Sequence, residues 1–391
     1  MAHSQYELLK QRRFLPFFLT QALGAFNDNV FRNAMLALMV YQMGLSTEQS
    51  TVYANLAPAL FILPYFLFSA TAGQIAEKLE KARLIRITTA MEIAIMSLAA
   101  FGFIYGLPTL LLFCLFLTGV QSTLFGPVKY AILPQVLAPE ELTGGNGLVE
   151  MGTSISILIG MIAGMSLLMI PGCGPQAAAA AMIGLAVTGH LVSRAIPMAP
   201  AIAPDLKINP NLIAESLHVL GMVRHNRVVR RAVFGVSWFW FVGTLLSAQL
   251  PNYAKLHLGG SESLNLLALA LFSIGTGLGS LWCEKLSQRT VEIGLVPFGA
   301  LGMTVFCTDL YFARPGFAPE TGITLVQFWQ QAGSLRIMAD LTLIGLFAGF
   351  FIVPLFALIQ SRTEKHHLSR VIAGMNIQNA VFIVSAAVTG I

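Results

Sequence analysis

The sequence predicts an all-α, polytopic membrane protein of about eleven membrane-spanning helices, and three observations carry that prediction. Hydrophobic residues make up 56% of the 391-residue chain and charged residues only 10%, against roughly 45–50% and about 25% in soluble domains, so a soluble fold of this length would lack polar surface. Apolar stretches recur from Phe14 onward, most of them near the ~20 residues that cross ~30 Å of hydrocarbon at ~1.5 Å per residue. Positive charge, finally, gathers in alternate connections, as it does in multi-pass chains.

The expected spans cover approximately 14–43, 52–76, 84–106, 108–130, 145–170, 177–198, 232–256, 264–283, 291–312, 336–360 and 371–391. Pro and Gly interrupt them without ending them, which bilayer helices tolerate. The polar Met1 to Lys10 precedes an apolar run too long for a cleaved signal core, so the first helix is expected to stay in the protein. It carries an unusual polar face, Gln21 to Arg32. The second ends at the charged loop Gly73 to Arg83, and the third contains Glu92. Phe125 to Tyr130 closes the fourth, and Asn146 to Glu150 opens the fifth. The longest connection, Ala199 to Arg231, follows the sixth and is rich in Pro, then Arg. It divides a six-helix bundle, 1–198, from a second bundle, 232–391, with 199–231 as a cytoplasmic linker. In the seventh span Gln249 and Asn252 flank Pro251, a candidate break lining a cavity. The eighth ends at Glu284-Lys285, and a polar insertion, Ala313 to Leu335, follows the ninth. Gly349 to Gln360 lies in the tenth and Gly374 to Asn379 in the eleventh.

With loops assigned to alternate sides, nineteen of the 23 Lys and Arg fall with the N-terminus, Lys255, Arg314 and Arg336 fall opposite, and Arg32 lies within a span. The N-terminus is therefore expected in the cytoplasm. The same distribution accounts for the net charge of +5 without a nucleic-acid partner. Cys114, Cys173, Cys283 and Cys307 have no metal-site spacing and read as packing residues. No glycine-rich phosphate loop, nucleophile elbow or metal-spaced histidine pair occurs, so neither a cofactor nor catalysis is expected of this chain.

An internal repeat crosses the linker. Glu77-Lys78-Leu79 pairs with Glu284-Lys285-Leu286 at an offset of 207; Gly119, Gly144, Asn146 and Gly160 pair with Gly349, Gly374, Asn376 and Gly390 at 230. The change of 23 equals the length of the polar insertion. Because Gly160 lies in the middle of the fifth span, the pairing with Gly390 implies that the eleventh is cut short. A natural chain continuing past Ile391 into a twelfth span is expected.

At ~100° per residue, Gln21, Asp28 and Arg32 fall within about 40° of one another and share a face. A charge at mid-bilayer costs at least ~2.5–3.5 kcal/mol, so such a face points into the bundle. Two readings are open: an i,i+4 ion pair of Asp28 with Arg32 that only fixes packing, or a site in which Asp28 binds a cation or proton and Arg32 an anion, flanked by Asn27 and Asn29. Lys129 and Glu150 either pair as an inner gate, or Lys129 holds a phosphate as a point charge; a snorkelling lysine is the plain alternative. Gln249, Gln360, Asn376 and Gln378 are neutral candidates of the second half, and Glu92 has no evident partner. Gly73, Glu77, Lys78, Lys81 and Arg83, with Glu284 and Lys285, form candidate gating turns or merely solvated ones.

The Gly73 to Arg83 loop resembles a degenerate form of the major facilitator loop motif, with Glu80 where a glycine is usual. Gln21 to Asn29, Gly126 to Leu133, Asn146 to Glu150, Gly349 to Gln360 and Gly374 to Asn379 resemble the bacterial lysophospholipid transporter family, closest to the form fused to acyltransferase and acyl-carrier-protein synthetase domains. The resemblance implies a major facilitator fold of two pseudo-symmetric six-helix bundles, the second truncated here, in the bacterial inner membrane. It also implies alternating access for a lysophospholipid among membrane lipids, and an acyltransferase partner, fused or in trans. Where the stand-alone transporters are expected to carry an arginine in the seventh span, Ser247 stands near that place, and Arg32 is the candidate replacement. A proton-coupled, polyspecific efflux transporter is the alternative function.

Overall fold

A computed structural model describes residues 5–259, 262–287, 290–313 and 323–390. Arg289 and Arg314 of the charge pattern, and residues 314–322 of the polar insertion, lie outside the described residues.

Fourteen α-helices run in chain order among the described residues: α1 Leu15–Tyr41, α2 Thr47–Lys78, α3 Lys81–Tyr105, α4 Pro108–Ala131, the short α5 Leu133–Val136, α6 Leu142–Leu168, α7 Gly174–Ser193, α8 Leu212–His225, α9 Arg227–Leu256, α10 Glu262–Leu286, α11 Leu295–Phe312, the short α12 Leu325–Trp329, α13 Ser334–Arg362 and α14 Leu368–Thr389. Local chemistry sets their ends. Ser46 and Gln49 form a reciprocal capping box at the start of α2. The Glu80 carboxylate caps α3 by accepting from the Ala82 and Arg83 amides at 2.8 and 2.7 Å. Gly106, at φ 62°, ends α3 in the left-handed conformation that glycine adopts without strain.

Ten of these helices are long and apolar enough to cross a membrane, and the chain is a multi-pass membrane protein. The expected first span is not among the ten. It folds as α1, 27 residues and thus ~40 Å long, but Gln21, Asn27, Asp28, Asn29, Arg32 and Asn33 dilute its apolar character. The stretch 199–231 contains a 14-residue helix, α8. One further expectation is corrected: α9, which begins at Arg227, continues unbroken through Pro251. A proline disturbs only the preceding turn, and neighbouring helices compensate the freed carbonyl.

Contacts divide the chain into two compact units. One comprises Met1–Ala138, Ile159–Arg230 and Arg362–Ala380, the other Pro139–Leu158, Arg231–Ser361 and Val381–Ile391. In the first, α2 packs on α4, α3 on α4 and α7, and α1 on α7, around Phe31, Met35, Met96, Phe103, Leu115 and Met182. In the second, Leu250 of α9, Leu264 of α10, Leu310 of α11 and Ile337 and Leu341 of α13 form the core.

Lipid is as apolar as leucine, so helices associate through close backbone approach rather than hydrophobic gain. The repeated glycines do this work. A β-carbon at Gly119 of α4 would stand 2.5 Å from the Phe61 carbonyl oxygen of α2, and one at Gly349 of α13 would stand 2.5 Å from the Ser280 nitrogen of α10. Gly160 abuts Phe26 and Asn29 of α1, while its repeat partner Gly390 abuts Leu245 of α9. Each glycine thus closes the same helix pair within its own repeat.

Candidate functional site

α1 is held against α6 by Gly160 and Gly164, where β-carbons would approach the Phe26 and Val30 carbonyl oxygens to 2.7 and 2.5 Å. Asp28 stands on the other side of α1, roughly 160° around the helix from Phe26 and Val30 at ~100° per residue. Its Oδ2 accepts a hydrogen bond from the Ser122 hydroxyl of α4 at 3.3 Å, and Tyr65 of α2 lies beside the same pair. Arg32, one turn on, donates to Asn29 Oδ1 at 2.6 Å, and Asn29 donates to the Ala25 carbonyl at 2.8 Å. An Asp28–Arg32 ion pair, one of the two readings open from the sequence, is not formed. Each charge takes a neutral partner instead. Both side chains stay half-buried, so an anionic and a cationic group stand side by side, held in place but not neutralised by direct contact.

Glu92 corrects the sequence reading. It is buried in α3 and accepts from Asn27 Nδ2 at 2.7 Å, while the same Asn27 amide nitrogen donates to the Met182 carbonyl of α7 at 3.2 Å. Asn27 therefore joins three helices one residue from Asp28, and its Oδ1 is buried without a hydrogen-bond partner. A β-carbon at Gly24 would lie 3.9 Å from Glu92 Oε2, so the glycine leaves room for the carboxylate beside α1. A charged residue inside a span was the signal for Glu92; Ser122 and Tyr65 carried none. Gln21, on the same α1 face, is buried.

Gln360 and Asn146 form a reciprocal, buried amide pair in the second unit, at 2.6 and 3.1 Å. Asn376 faces Gly126, whose missing β-carbon admits the Asn376 side chain. Gln249 is exposed and donates to the Gly390 carbonyl at 3.0 Å. Gln378 is half-buried and Glu150 is buried in the second unit. Lys129 Nζ sits 5.2 Å from the centre of the Tyr130 ring, a cation–π distance.

The Gly73 to Arg83 turn is built with more purpose than a solvated loop. A β-carbon at Gly73 would come within 2.7 Å of Ala373 Cβ and 3.0 Å of Arg370 Cα, so the glycine lets α2 touch the start of α14. There the fully buried Glu77 accepts from Arg370 Nε at 2.7 Å and from the Arg370 amide at 3.3 Å. It neutralises the guanidinium and serves the exposed amides of a helix N-terminus together. Lys81 is also fully buried, its Nζ without a hydrogen-bond partner. Glu80, set where the loop motif has glycine, accepts the Ala199 amide at 2.7 Å as well as capping α3. Lys78 is half-buried and Arg83 exposed. Glu284 and Lys285 end α10, half-buried and exposed respectively.

The sequence profile of the Major Facilitator Superfamily matches residues 17–387. The lysophospholipid transporter LplT of Serratia proteamaculans is 26% identical over 359 residues, 91% of this chain and 82% of that protein. LplT of Escherichia coli O157:H7 is 28% identical over 349 residues, 89% of this chain and 80% of that protein. Among solved structures, the fucose transporter FucP in its outward conformation aligns over 97% of this chain and 92% of its own, with a TM-score of 0.71 at 16% identity. The human organic anion transporter MFSD10 aligns over 97% and 93%, with a TM-score of 0.71 at 12% identity. These structural likenesses concern the fold.

Proposed function

The chain belongs to the Major Facilitator Superfamily, and from that premise we propose that it carries lysophospholipids in the bacterial inner membrane by alternating access. It is a transporter, as its relatives and fold neighbours are, and not an enzyme.

The observation that carries the cargo assignment is the α1 face, where Asp28 and Arg32 stand one turn apart and each holds a neutral partner. A lysophospholipid headgroup presents a phosphate and, in the ethanolamine and choline forms, a cation a few bonds away. Arg32 meets the phosphate and Asp28 the ammonium, each interaction strengthened where water is scarce. Lys129 offers a second cation to the phosphate. The single acyl chain lies along the Phe- and Met-rich walls, 27 Phe and 16 Met in all. The LplT relatives point to the same cargo.

The Glu77–Arg370 contact is the latch of one conformational state, closed in this structure and released in the alternate one. The basic loops and the N-terminus lie in the cytoplasm, which places the latch there. The delivered lipid is then reacylated by an acyltransferase and acyl-carrier-protein synthetase, fused or in trans.

The test is uptake of labelled lysophosphatidylethanolamine into spheroplasts lacking their own transporter. Wild type is expected to exceed vector, and Asp28→Asn and Arg32→Ala to fall at least tenfold, the loss of about 1.4 kcal/mol that a charge-assisted hydrogen bond supplies. Wild-type uptake equal to vector refutes the cargo. Proton-driven export of several unrelated drugs by the same vesicles would then support the efflux alternative.

A further inference from the structure

The helix of the connection between α7 and α9 has two faces, and among the described residues only one of them is packed against the rest of the protein. Val219 and Val223 of α8 are buried; Val219 packs with Ala70 of α2 and Ile377 of α14. Gly374 of α14 brings α14 close, since a β-carbon there would lie 3.0 Å from the Val219 carbonyl oxygen. The start of the segment is clamped too. Asn209 N donates to Gln74 Oε1 at 2.7 Å, and Gln74 Nε2 donates to the Asn209 carbonyl at 3.4 Å. On the opposite side, at ~100° per residue, Ile213 and Leu217 project with 76% and 67% of their surface exposed. Arg224 continues that stripe, and Arg227 and Arg230 lie beyond it in the first turn of α9; all three are exposed, and no carboxylate pairs with them among the described residues. Glu215, the carboxylate of α8, is buried and accepts from Asn209 instead.

The level of these contacts along α2 says what the free face meets. The apolar helix Glu48–Lys78 has 31 residues, ~46 Å at ~1.5 Å per residue, so it overshoots a ~30 Å hydrocarbon core by ~8 Å at each end. Ala70 and Gln74 lie eight and four residues before Lys78, ~12 and ~6 Å from that end. The anchors of α8 therefore sit at the boundary between hydrocarbon and headgroups. Two bulky apolar side chains followed by three unpaired arginines at that depth match an anionic lipid surface, with Ile213 and Leu217 seated among acyl chains and the guanidiniums on phosphates.

We propose that α8 is a membrane-surface helix that inserts Ile213 and Leu217 into the leaflet and, through its Arg224 together with Arg227 and Arg230 of the first turn of α9, binds anionic phospholipid headgroups. The assignment needs only that the chain is membrane-embedded, not that it carries lysophospholipid. The test places a polarity-sensitive fluorophore at Leu217→Cys in the full chain, with Cys173 and Cys307 changed to Ser, reconstituted in phosphatidylcholine vesicles with or without phosphatidylglycerol. Quenching by headgroup-level spin-labelled lipid is expected, and more of it with phosphatidylglycerol. Each arginine near an anionic surface favours the seated state roughly fivefold, so Arg224→Gln, Arg227→Gln and Arg230→Gln together should abolish the phosphatidylglycerol dependence, a loss of roughly a hundredfold in the seated-to-lifted ratio. These side chains are exposed, and an unchanged melting curve confirms that the variant folds. A label reached equally by aqueous iodide in both vesicles, the result expected of a stripe that docks a protein, overturns the proposal, as does a phosphatidylglycerol effect that survives the triple substitution.

Discussion

Arg370→Met isolates the energy stored where α2 meets α14. Glu77 is fully buried and the Arg370 side chain is only 12% exposed, so removing the guanidinium leaves a carboxylate with the Arg370 amide as its remaining donor among the described residues. Breaking one member of a buried pair costs ~3–5 kcal/mol, because desolvation is no longer compensated. Lys81, buried nearby with its Nζ unpartnered, feels the Glu77 charge and can turn toward it, which places the expected cost near the lower end, about 3 kcal/mol. Lys81→Met in the same background should raise the loss toward about 5 kcal/mol. Replacing both charges, Glu77→Leu with Arg370→Met, should recover most of the stability, since apolar groups of similar volume carry no desolvation debt. The assay is equilibrium unfolding of the purified chain in mixed micelles titrated with dodecyl sulfate. Glu77 and Arg370 contribute nothing as a pair if Arg370→Met stays within about 0.5 kcal/mol of wild type, or if the double variant loses as much as the two singles together.

Asn27→Leu strands the Glu92 carboxylate in α3 and should cost at least about 2 kcal/mol in the same assay, with Glu92→Gln in that background restoring part of it. Gly119→Val drives a β-carbon into the Phe61 carbonyl, and Gly349→Val does the same at Ser280; each should lose about 1–3 kcal/mol or fail to accumulate as a monodisperse peak on size exclusion. Gln360→Leu breaks the reciprocal amide pair with Asn146 and should cost about 1–3 kcal/mol. His367, just before α14, is held below its ordinary value by partial burial and by Arg370. The fold therefore disfavours its protonated form, and the stability it contributes is present at neutral pH and lost as pH falls below about 6.5. Melting curves of His367→Gln should lack that part of the acid-side slope.

Much of the architecture was legible along the chain. The apolar runs gave the membrane helices to within a few residues, since crossing hydrocarbon sets both length and composition, and the glycine pairs at a constant offset announced a duplication that the packing of Gly119 and Gly349 bears out. Two misreadings share a cause. Pro251 reads as a break and Glu92 as isolated because local sequence cannot show which neighbour compensates a lost backbone bond or receives a carboxylate.

By itself, the sequence determined that this chain lives in a membrane, repeats a helical module and keeps charge on one face of its first helix. Those properties follow from hydrophobic length, residue identity and helical period, all of which are local. Tertiary structure alone decided that Asp28 turns to Ser122 rather than to Arg32, that Asn27 ties Glu92 to α1 and α7, and that Gly73 delivers Glu77 to the start of α14. Each is a contact between residues far apart in the chain, chosen by which backbones can approach closely enough for a short polar side chain to reach.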